Sequence, residues 1–171
     1  LVKTDPMRAV IFCNGTLPYP EAARAALQPA DLIIAADGGA HHCAALGLTP
    51  HVIIGDLDSL SPEEAARWAR RGVEIVRYPP AKDETDLELA LRYALHRQAR
   101  EVTLLGLLGG RWDMVFANLL LLGQPAYAAL TFAVLEGPLT IHLLRGGETL
   151  HLHGRPGDTV SGPTLMALAD V

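Results

Sequence analysis

The chain has 171 residues and a formal net charge of −5, from 14 Lys and Arg residues against 19 Asp and Glu residues. Apolar residues make up 50% of it and charged residues 19%, which excludes a disordered chain, because such chains are poor in apolar residues. The negative charge argues against binding of nucleic acid, which needs a cationic surface to displace counterions. The sequence also predicts no membrane segment, since no apolar run approaches the roughly 20 residues that span a bilayer.

Short apolar, β-branched runs alternate with segments of helical spacing through the first two thirds of the chain. Helix starts are indicated by Pro20 and by the Ser61-Pro62 pair, and helix ends by Gly47 and Gly72. In chain order, we predict a strand over residues 8–13, a helix over 20–27, a strand over 31–36, a helix over 40–46, a strand over 52–54, a helix over 62–71, a strand over 73–76, a helix over 86–98, a strand over 102–105 and a helix over 113–123.

This alternation predicts an α/β fold with a Rossmann-like parallel sheet covered on both faces. After residue 124 the pattern changes to short runs at 132–135, 139–144 and 149–153, separated by Gly-Pro and Gly-Gly, which are typical of antiparallel strands. We therefore predict an α/β catalytic domain over residues 7–125, with Met7 as the native start, and an incomplete C-terminal β domain over 126–171. Cys13 and Cys43 lack metal-type spacing and are expected to be buried free thiols, which favours a cytoplasmic location.

Acidic residues, glycines and basic residues follow the predicted strands at the points where those strands end. Because the carboxyl ends of parallel strands meet at one edge of a sheet, these loops are expected to converge on one ligand site. The residues concerned are Asp37, Gly38 and Gly39 after the second strand, Asp56 and Asp58 after the third, Lys82, Thr85 and Asp86 after the fourth, and Gly109, Gly110, Arg111 and Asp113 after the fifth.

Asp56 and Asp58 are separated by one residue. In an extended segment both carboxylates project to the same side, and two close carboxylates repel unless a cation or a proton lies between them. Oxygen ligands of this kind favour Mg²⁺, and Asp86 is a candidate third ligand. The alternative is that Asp58 and Asp86 are helix caps and Asp56 is a turn residue.

The glycine pairs and the nearby basic residues suggest a site for phosphate. Gly38 and Gly39 permit positive φ and close backbone approach to a ligand, although the sequence matches neither G-x-G-x-x-G nor the P-loop pattern. Lys82 and Arg111 are candidates to hold phosphate oxygens. Taken singly, each of these two residues is better explained as a solvated loop charge.

Four segments, taken in order, resemble the thiamine pyrophosphokinase family. They are AADGGA (35–40), IIGDLDS (53–59), KDETDLELAL (82–91) and GGRWDMVFANLLLL (109–122). The resemblance implies an α/β catalytic domain followed by a small β-sandwich domain, in a homodimer with the thiamine site at the interface. It also implies transfer of a pyrophosphoryl group from ATP to the hydroxyl of thiamine, with Mg²⁺ as cofactor and AMP as the second product.

The same resemblance implies roles for individual residues. In the reaction so implied, we expect Asp113 to orient the thiamine hydroxyl or accept its proton, and Lys82 and Arg111 to offset charge developing on the phosphates. The resemblance also implies that Asp56, Asp58 and Asp86 bind magnesium and that Asp37, in the Asp37-Gly38-Gly39 loop, lies near the metal and phosphates. The nucleotide and pyrophosphate site would be lined by Lys82, Thr85, Arg111 and Asp113 and supported by Asn118. Ser161 would shape the thiamine pocket across the dimer.

Two departures from the family pattern leave alternatives open. Met114 stands where the family usually has a histidine, and Met carries neither the charge nor the strong hydrogen bond of an imidazole. Ser161 runs into Gly162-Pro163-Thr164 rather than into apolar residues. The alternatives are a related magnesium-dependent pyrophosphokinase acting on another hydroxylated acceptor, such as a pterin, and a relative that binds a nucleotide or thiamine without catalysis.

Overall fold

A computed structural model describes residues 7–80 and 83–161 of the chain. Its strands are β1 (Arg8–Phe12), β2 (Leu32–Ala36), β3 (Val52–Gly55), β4 (Glu74–Arg77), β5 (Glu101–Leu105), β6 (Thr131–Glu136) and β7 (Leu139–Leu143). Its α-helices are α1 (Pro20–Ala25), α2 (Gly39–Ala45), α3 (Pro62–Arg70), α4 (Asp86–His96) and α5 (Trp112–Leu122), followed by a short 3-10 helix at Pro125–Tyr127.

The strands form one seven-stranded sheet in the order β4-β3-β2-β1-β5-β6-β7. Strands β1 to β6 run parallel, and β7 pairs with β6 in the antiparallel direction. The chain builds outward from β1 to β4 and then returns to place β5 on the other side of β1. The predicted α/β fold with a parallel sheet is therefore confirmed, and the strand order reverses between β1 and β5.

Both faces of the sheet are covered, which explains why the strands are continuous apolar runs. In β1, Ala9 and Ile11 belong to a core packed under α4, whereas Val10 and Phe12 belong to a second core that α2 and α3 cover.

Helix α3 begins with a capping box, in which Ser61 Oγ accepts a hydrogen bond from the Glu64 N–H at 3.2 Å and Glu64 Oε2 accepts one from the Ser61 N–H at 2.8 Å.

The sheet continues past residue 125, which corrects one expectation. The run at 132–135 was expected to be antiparallel, but it forms β6, which pairs in parallel with β5. The reason is that α5 crosses over the sheet between the two strands and so returns the chain in the same direction. Among the described residues, antiparallel pairing, as expected for this part, occurs between β6 and β7 only. The expected boundary thus lies inside a strand–helix–strand unit, and the division into two domains stays a prediction.

The run at 149–153 was expected to be a strand, but the structure gives it no regular secondary structure. Its leucines alternate with histidines, yet an alternating pattern forms a strand only where a partner strand supplies hydrogen bonds and a surface to bury. Residues 151–161 are exposed throughout, and the described part of the chain therefore contains no β sandwich.

Two further properties follow from the described residues. Cys13 and Cys43 are buried free thiols, as expected. Burial in apolar surroundings raises the pKa of each thiol to about 12. In the described ranges, no helix has the length and apolar character that crossing a membrane requires.

Candidate active site

A cleft of about 370 Å³ opens at the carboxyl edge of the sheet, where the strand order reverses. Asn14 and Gly15, which follow β1, form one side, and Gly106 and Leu107, which follow β5, form another. The start of α4 and one face of α5 complete the walls. Open parallel sheets bind their ligands in a crevice of this kind, because the loops of neighbouring strands diverge there.

A group of three carboxylates lies at the same edge of the sheet. Asp37 directly follows β2, and Asp56 and Asp58 follow β3. Each of the three offers one carboxylate oxygen, and these oxygens lie within 4.8 Å of one another. The convergence of the strand-end loops that the sequence predicts is therefore present for these three acids.

The path by which Asp56 and Asp58 converge differs from the one expected. The segment is not extended, because Leu57 has a φ of 63° and its side chain is buried. The Asp58 N–H donates a hydrogen bond to Asp56 Oδ1 at 3.1 Å, which closes a tight turn. A left-handed turn anchored by a buried leucine, and not strand alternation, brings the two carboxylates together.

Asp37 is the buried member of the group, with 2% of its surface exposed and a φ of 44°. Its Oδ2 accepts hydrogen bonds from Asn14 Nδ2 at 3.2 Å and from the Ser59 hydroxyl, and its Oδ1 lies 3.4 Å from the Ser59 N–H. Across residues 7–80 and 83–161, no ion pair neutralises this carboxylate. A buried charge without a counter-ion is costly, so this position is chemically suited to a bound cation.

Asp86 stands beside the three-carboxylate group rather than within it. A Cβ built on Gly55 would lie 2.9 Å from Asp86 Oδ1 and 3.1 Å from the Cβ of Asp37, so both acids approach the same point. Gly55 also has a φ of 151°, which L side chains rarely adopt. A larger residue at the end of β3 would displace the Asp86 carboxylate and strain the backbone. Asp37, Asp56 and Asp58 are thus the carboxylates whose oxygens lie within 4.8 Å of one another, and Asp86 flanks them on the side of the cleft. The metal-binding set of Asp56, Asp58 and Asp86 stays a prediction.

The alternative role as helix caps does not apply to Asp58 or Asp86. The N-cap of α3 is Ser61 and that of α4 is Thr85, whose hydroxyl accepts a hydrogen bond from the Glu88 N–H at 3.2 Å. Thr85 also lines the cleft, as does Asp86 at the first position of α4. Both residues therefore lie where the sequence places them, at the edge of the ligand space.

The Gly38-Gly39 pair lies against β1 and the loop that follows it, and its role in ligand binding stays a prediction. Gly38 has a φ of −61°, so it does not use the left-handed region. A Cβ on Gly38 would lie 2.0 Å from Asn14 Oδ1, and a Cβ on Gly39 would lie 2.0 Å from the Phe12 carbonyl oxygen. The two glycines let α2 pack against β1 and the loop after it, and the space they leave is filled by the protein itself.

Arg111 and Asp113 form an exposed ion pair at the start of α5. Arg111 Nε donates to Asp113 Oδ1 at 3.1 Å, and a second guanidinium nitrogen donates to Oδ2. The hydrogen bonds from Arg111 lower the pKa of Asp113, which makes this carboxylate a weaker proton acceptor than an unpaired one. Arg111, Met114 and Asn118 line the cleft, so successive turns at the start of α5 face it.

Lys82 and Ser161 complete the set of predicted site residues. Lys82 lies outside the described residues. Ser161 is exposed at the end of the described chain, and the described contacts do not join it to the cleft or to the carboxylates.

Sequence analysis did not identify Asn14 and Ser59 as site residues. Asn14 Nδ2 donates to Ser59 Oγ at 3.1 Å as well as to Asp37, and Ser59 Oγ also donates to Asp58 Oδ1 at 3.3 Å. The signal for Asn14 was present, because an Asn-Gly pair follows the first strand, but such a pair indicates a turn equally well.

The sheet order, the carboxylate group and the cleft define an α/β protein of the open parallel-sheet class, with its candidate binding site at the carboxyl edge. The family model described as the catalytic domain of thiamin pyrophosphokinase matches residues 23–133. The chain therefore belongs to the thiamine pyrophosphokinase family.

Individual relatives agree with this assignment. The chain is 30% identical over 117 residues to a thiamine pyrophosphokinase of Bacillus subtilis, covering 68% of this chain and 55% of that protein. The crystal structure of a thiamine pyrophosphokinase from Bacillus subtilis matches with a TM-score of 0.63 at 27% identity, covering 76% of this chain and 61% of the other. One from Geobacillus thermodenitrificans matches with a TM-score of 0.63 at 28% identity, covering 75% and 59%. The chain thus spans less than two thirds of the length of these relatives.

Proposed function

We propose that this chain supplies the catalytic α/β part of an enzyme that transfers a pyrophosphoryl group from ATP to the hydroxyl of thiamine, giving thiamine diphosphate and AMP. Membership of the thiamine pyrophosphokinase family supports this reaction. The observation that carries it is the meeting of Asp37, Asp56 and Asp58 at the carboxyl edge of the sheet, next to the cleft between β1 and β5.

The carboxylate group fits Mg²⁺ in its chemistry. All three side chains offer hard oxygen ligands, and the buried Asp37 carries a charge that the described residues leave uncompensated. We propose that Asp37, Asp56 and Asp58 hold the ion and that Asp86 extends the set on the side of the cleft. When bound, Mg²⁺ would offset the negative charge of the phosphates that react.

The cleft residues supply position and charge. Arg111, whose guanidinium forms a fork suited to phosphate oxygens, would bind the polyphosphate, with Thr85 and Asn118 lining the same space. Since pairing with Arg111 weakens Asp113 as a base, we propose that Asp113 orients the acceptor hydroxyl rather than removing its proton. The phosphate-binding role of Lys82 stays a prediction.

We further propose a homodimer with thiamine bound at the interface. Trp112, Phe116 and Leu120 recur at every fourth position of α5 and are all exposed, Trp112 at 84%. An exposed apolar stripe that begins next to Arg111 and Asp113 is the kind of surface that a second protomer would cover. The roles of Ser161 in the thiamine pocket, of a second β domain and of a cytoplasmic location stay predictions.

Incubation of the chain with ATP, Mg²⁺ and thiamine, followed by quantification of thiamine diphosphate and AMP, tests the proposal. We expect both products in equal amounts, their loss in Asp56→Asn, and their retention in Glu101→Gln, which removes an exposed carboxylate from the opposite edge of the sheet. AMP formation with a hydroxymethylpterin but not with thiamine would identify a different acceptor. Binding of ATP and thiamine without any AMP would show a non-catalytic relative.

A further inference from the structure

The loop that follows β1 connects the carboxylate group to the cleft through one side chain. Asn14 lines the cleft, and its Nδ2 donates to Asp37 Oδ2 at 3.2 Å and to Ser59 Oγ at 3.1 Å. We propose that Asn14 is a positioning residue that fixes the Asp37 carboxylate for cation binding. This inference rests on the proposed function, because it assumes that Asp37 is a metal ligand.

Asn14 is held in place by close packing as well as by hydrogen bonds. If Gly38 carried a Cβ, that atom would lie 2.0 Å from Asn14 Oδ1, 2.5 Å from Cγ and 2.8 Å from Nδ2. The whole amide therefore fills the space beside Gly38. Asp37 is the chain neighbour of Gly38, so the same side chain contacts the backbone that carries the acid and the carboxylate itself.

The backbone of this loop is tied to its surroundings on two sides. The Gly15 N–H donates to the Gly106 carbonyl at 2.8 Å, and the Thr16 N–H donates to the Leu108 carbonyl at 3.1 Å, across the point where the strand order reverses. His42 of α2 lies with its Nε2 at 2.8 Å from the Gly15 carbonyl oxygen. Because its neighbours are fixed in this way, Asn14 presents its amide from a defined position.

The hydrogen bonds divide the two oxygens of Asp37 into different roles. Oδ2 accepts both side-chain donors, Asn14 and Ser59, whereas the one contact of Oδ1 within the described part of the chain is the longer one of 3.4 Å with the Ser59 N–H. Oδ1 is therefore the oxygen with more capacity left for a cation. Outer hydrogen bonds of this type orient metal-binding carboxylates, and their loss typically costs about 10- to 100-fold in metal affinity or activity.

The first test compares Mn²⁺ binding, followed by electron paramagnetic resonance with Mg²⁺ as competitor, in the intact chain and in Asn14→Ala. We expect Asn14→Ala to weaken Mn²⁺ binding about tenfold and to raise by a similar factor the Mg²⁺ concentration needed for half-maximal activity. At saturating Mg²⁺, kcat is expected to return to within about threefold of the original value. Thr16→Ala is the matched control, because it removes a hydroxyl from the same loop that bonds only to the Leu108 carbonyl in the described structure.

A second variant separates hydrogen bonding from the filling of space. Gly38→Ala alone is expected to destabilise the chain, because its methyl group would collide with Asn14. In Asn14→Ala/Gly38→Ala the methyl group has room, so the double variant is expected to be more stable than Gly38→Ala while Mn²⁺ binding stays weak. Gly146→Ala, at an open position without positive φ, is the control for replacing glycine by alanine.

The outcomes separate this inference from the proposed function. Unchanged Mn²⁺ binding in Asn14→Ala, or full recovery of binding in the double variant, would overturn the positioning role. Absence of saturable Mn²⁺ binding in the intact chain would instead overturn the metal site, and with it both proposals.

Discussion

A buried aspartate lies at each end of β2, and the two aspartates differ in their hydrogen-bond partners. Asp31, just before the strand, is 4% exposed, and Arg8 binds it with a fork of two hydrogen bonds of 2.8 and 2.6 Å. This pairing raises the pKa of Arg8. Asp37, just after the strand, is 2% exposed, and its described partners are an amide, a hydroxyl and a backbone N–H.

We interpret this difference as one between a structural acid, Asp31, and a proposed functional one, Asp37. At the amino edge of the sheet, the guanidinium of Arg8 neutralises the charge of Asp31 inside the fold, and this ion pair stabilises the fold. At the carboxyl edge the described chain supplies only neutral donors and two further carboxylates, Asp56 and Asp58. An acidic group assembled without a counter-ion is unfavourable by itself, which is the reason for expecting it to bind a divalent ion.

The largest effect is expected for Asp37→Asn. We expect pyrophosphoryl transfer to fall about a thousandfold, because the proposed metal ligand, which is buried, loses its charge. Without metal, the free energy of unfolding should stay within about 1 kcal/mol of the original value or rise, since an uncompensated buried charge is removed. Product assays and urea unfolding in chelator measure the two quantities. A large loss of stability in chelator would show that Asp37 is a structural acid like Asp31.

Asp31→Asn should produce the opposite result. Removing one partner of a buried ion pair leaves the other without compensation, so we expect a loss of about 3 kcal/mol in the free energy of unfolding. Transfer by the folded fraction should be unchanged, because Asp31 lies at the edge of the sheet away from the cleft. A loss of activity at full folding would break the distinction between the two ends of β2.

Two glycine substitutions sharpen the distinction further. Gly55→Ala and Gly72→Ala both place a side chain at a positive φ, of 151° and 84°, and each should cost about 2 kcal/mol in stability. Only the Cβ at Gly55 would meet Asp86 and Asp37, whereas that at Gly72 meets nothing within 4 Å. We therefore expect the Mg²⁺ affinity to fall about tenfold in Gly55→Ala and to stay unchanged in Gly72→Ala. Titration calorimetry on both variants makes the comparison, and equal Mg²⁺ affinities would contradict it.

The smallest effect is expected at the exposed wall of the cleft. Arg111→Lys keeps the charge but removes the fork, so we expect the KM for ATP to rise about fivefold with kcat little changed. Steady-state kinetics on ATP measure both constants. A fall in kcat with an unchanged KM would mean that Arg111 acts in the transition state and not in binding.

Much of the fold follows from the sequence because its parallel strands are buried on both faces. The apolar runs of β1 to β5 and the helix signals around Pro20, Ser61 and Gly72 locate these elements to within one or two residues. The predicted direction of β6 was wrong because a short apolar run does not indicate whether a strand pairs in parallel or antiparallel. That direction follows from the crossover of α5, a property of the whole sheet.

The site was predictable at the level of loops and less so at the level of side chains. Because they follow parallel strands, Asp37, Asp56 and Asp58 are placed at one edge of the sheet whatever the backbone conformation of their loops. Which acids come close together depends on the left-handed φ of Leu57 and Asp37, and a sequence does not reveal such backbone conformations for residues other than glycine. The place of Asn14 depends on the packing of α2 against β1, which is a tertiary contact.

The response of stability to Mg²⁺ tests the central claim most directly. If Asp37, Asp56 and Asp58 hold the ion, raising free Mg²⁺ to about 100 times its dissociation constant should stabilise the chain by about 2.7 kcal/mol, and Asp37→Asn should gain almost nothing. Urea unfolding at a series of Mg²⁺ concentrations gives both values. An equal gain in the two proteins would contradict the claim that these three acids form the metal site.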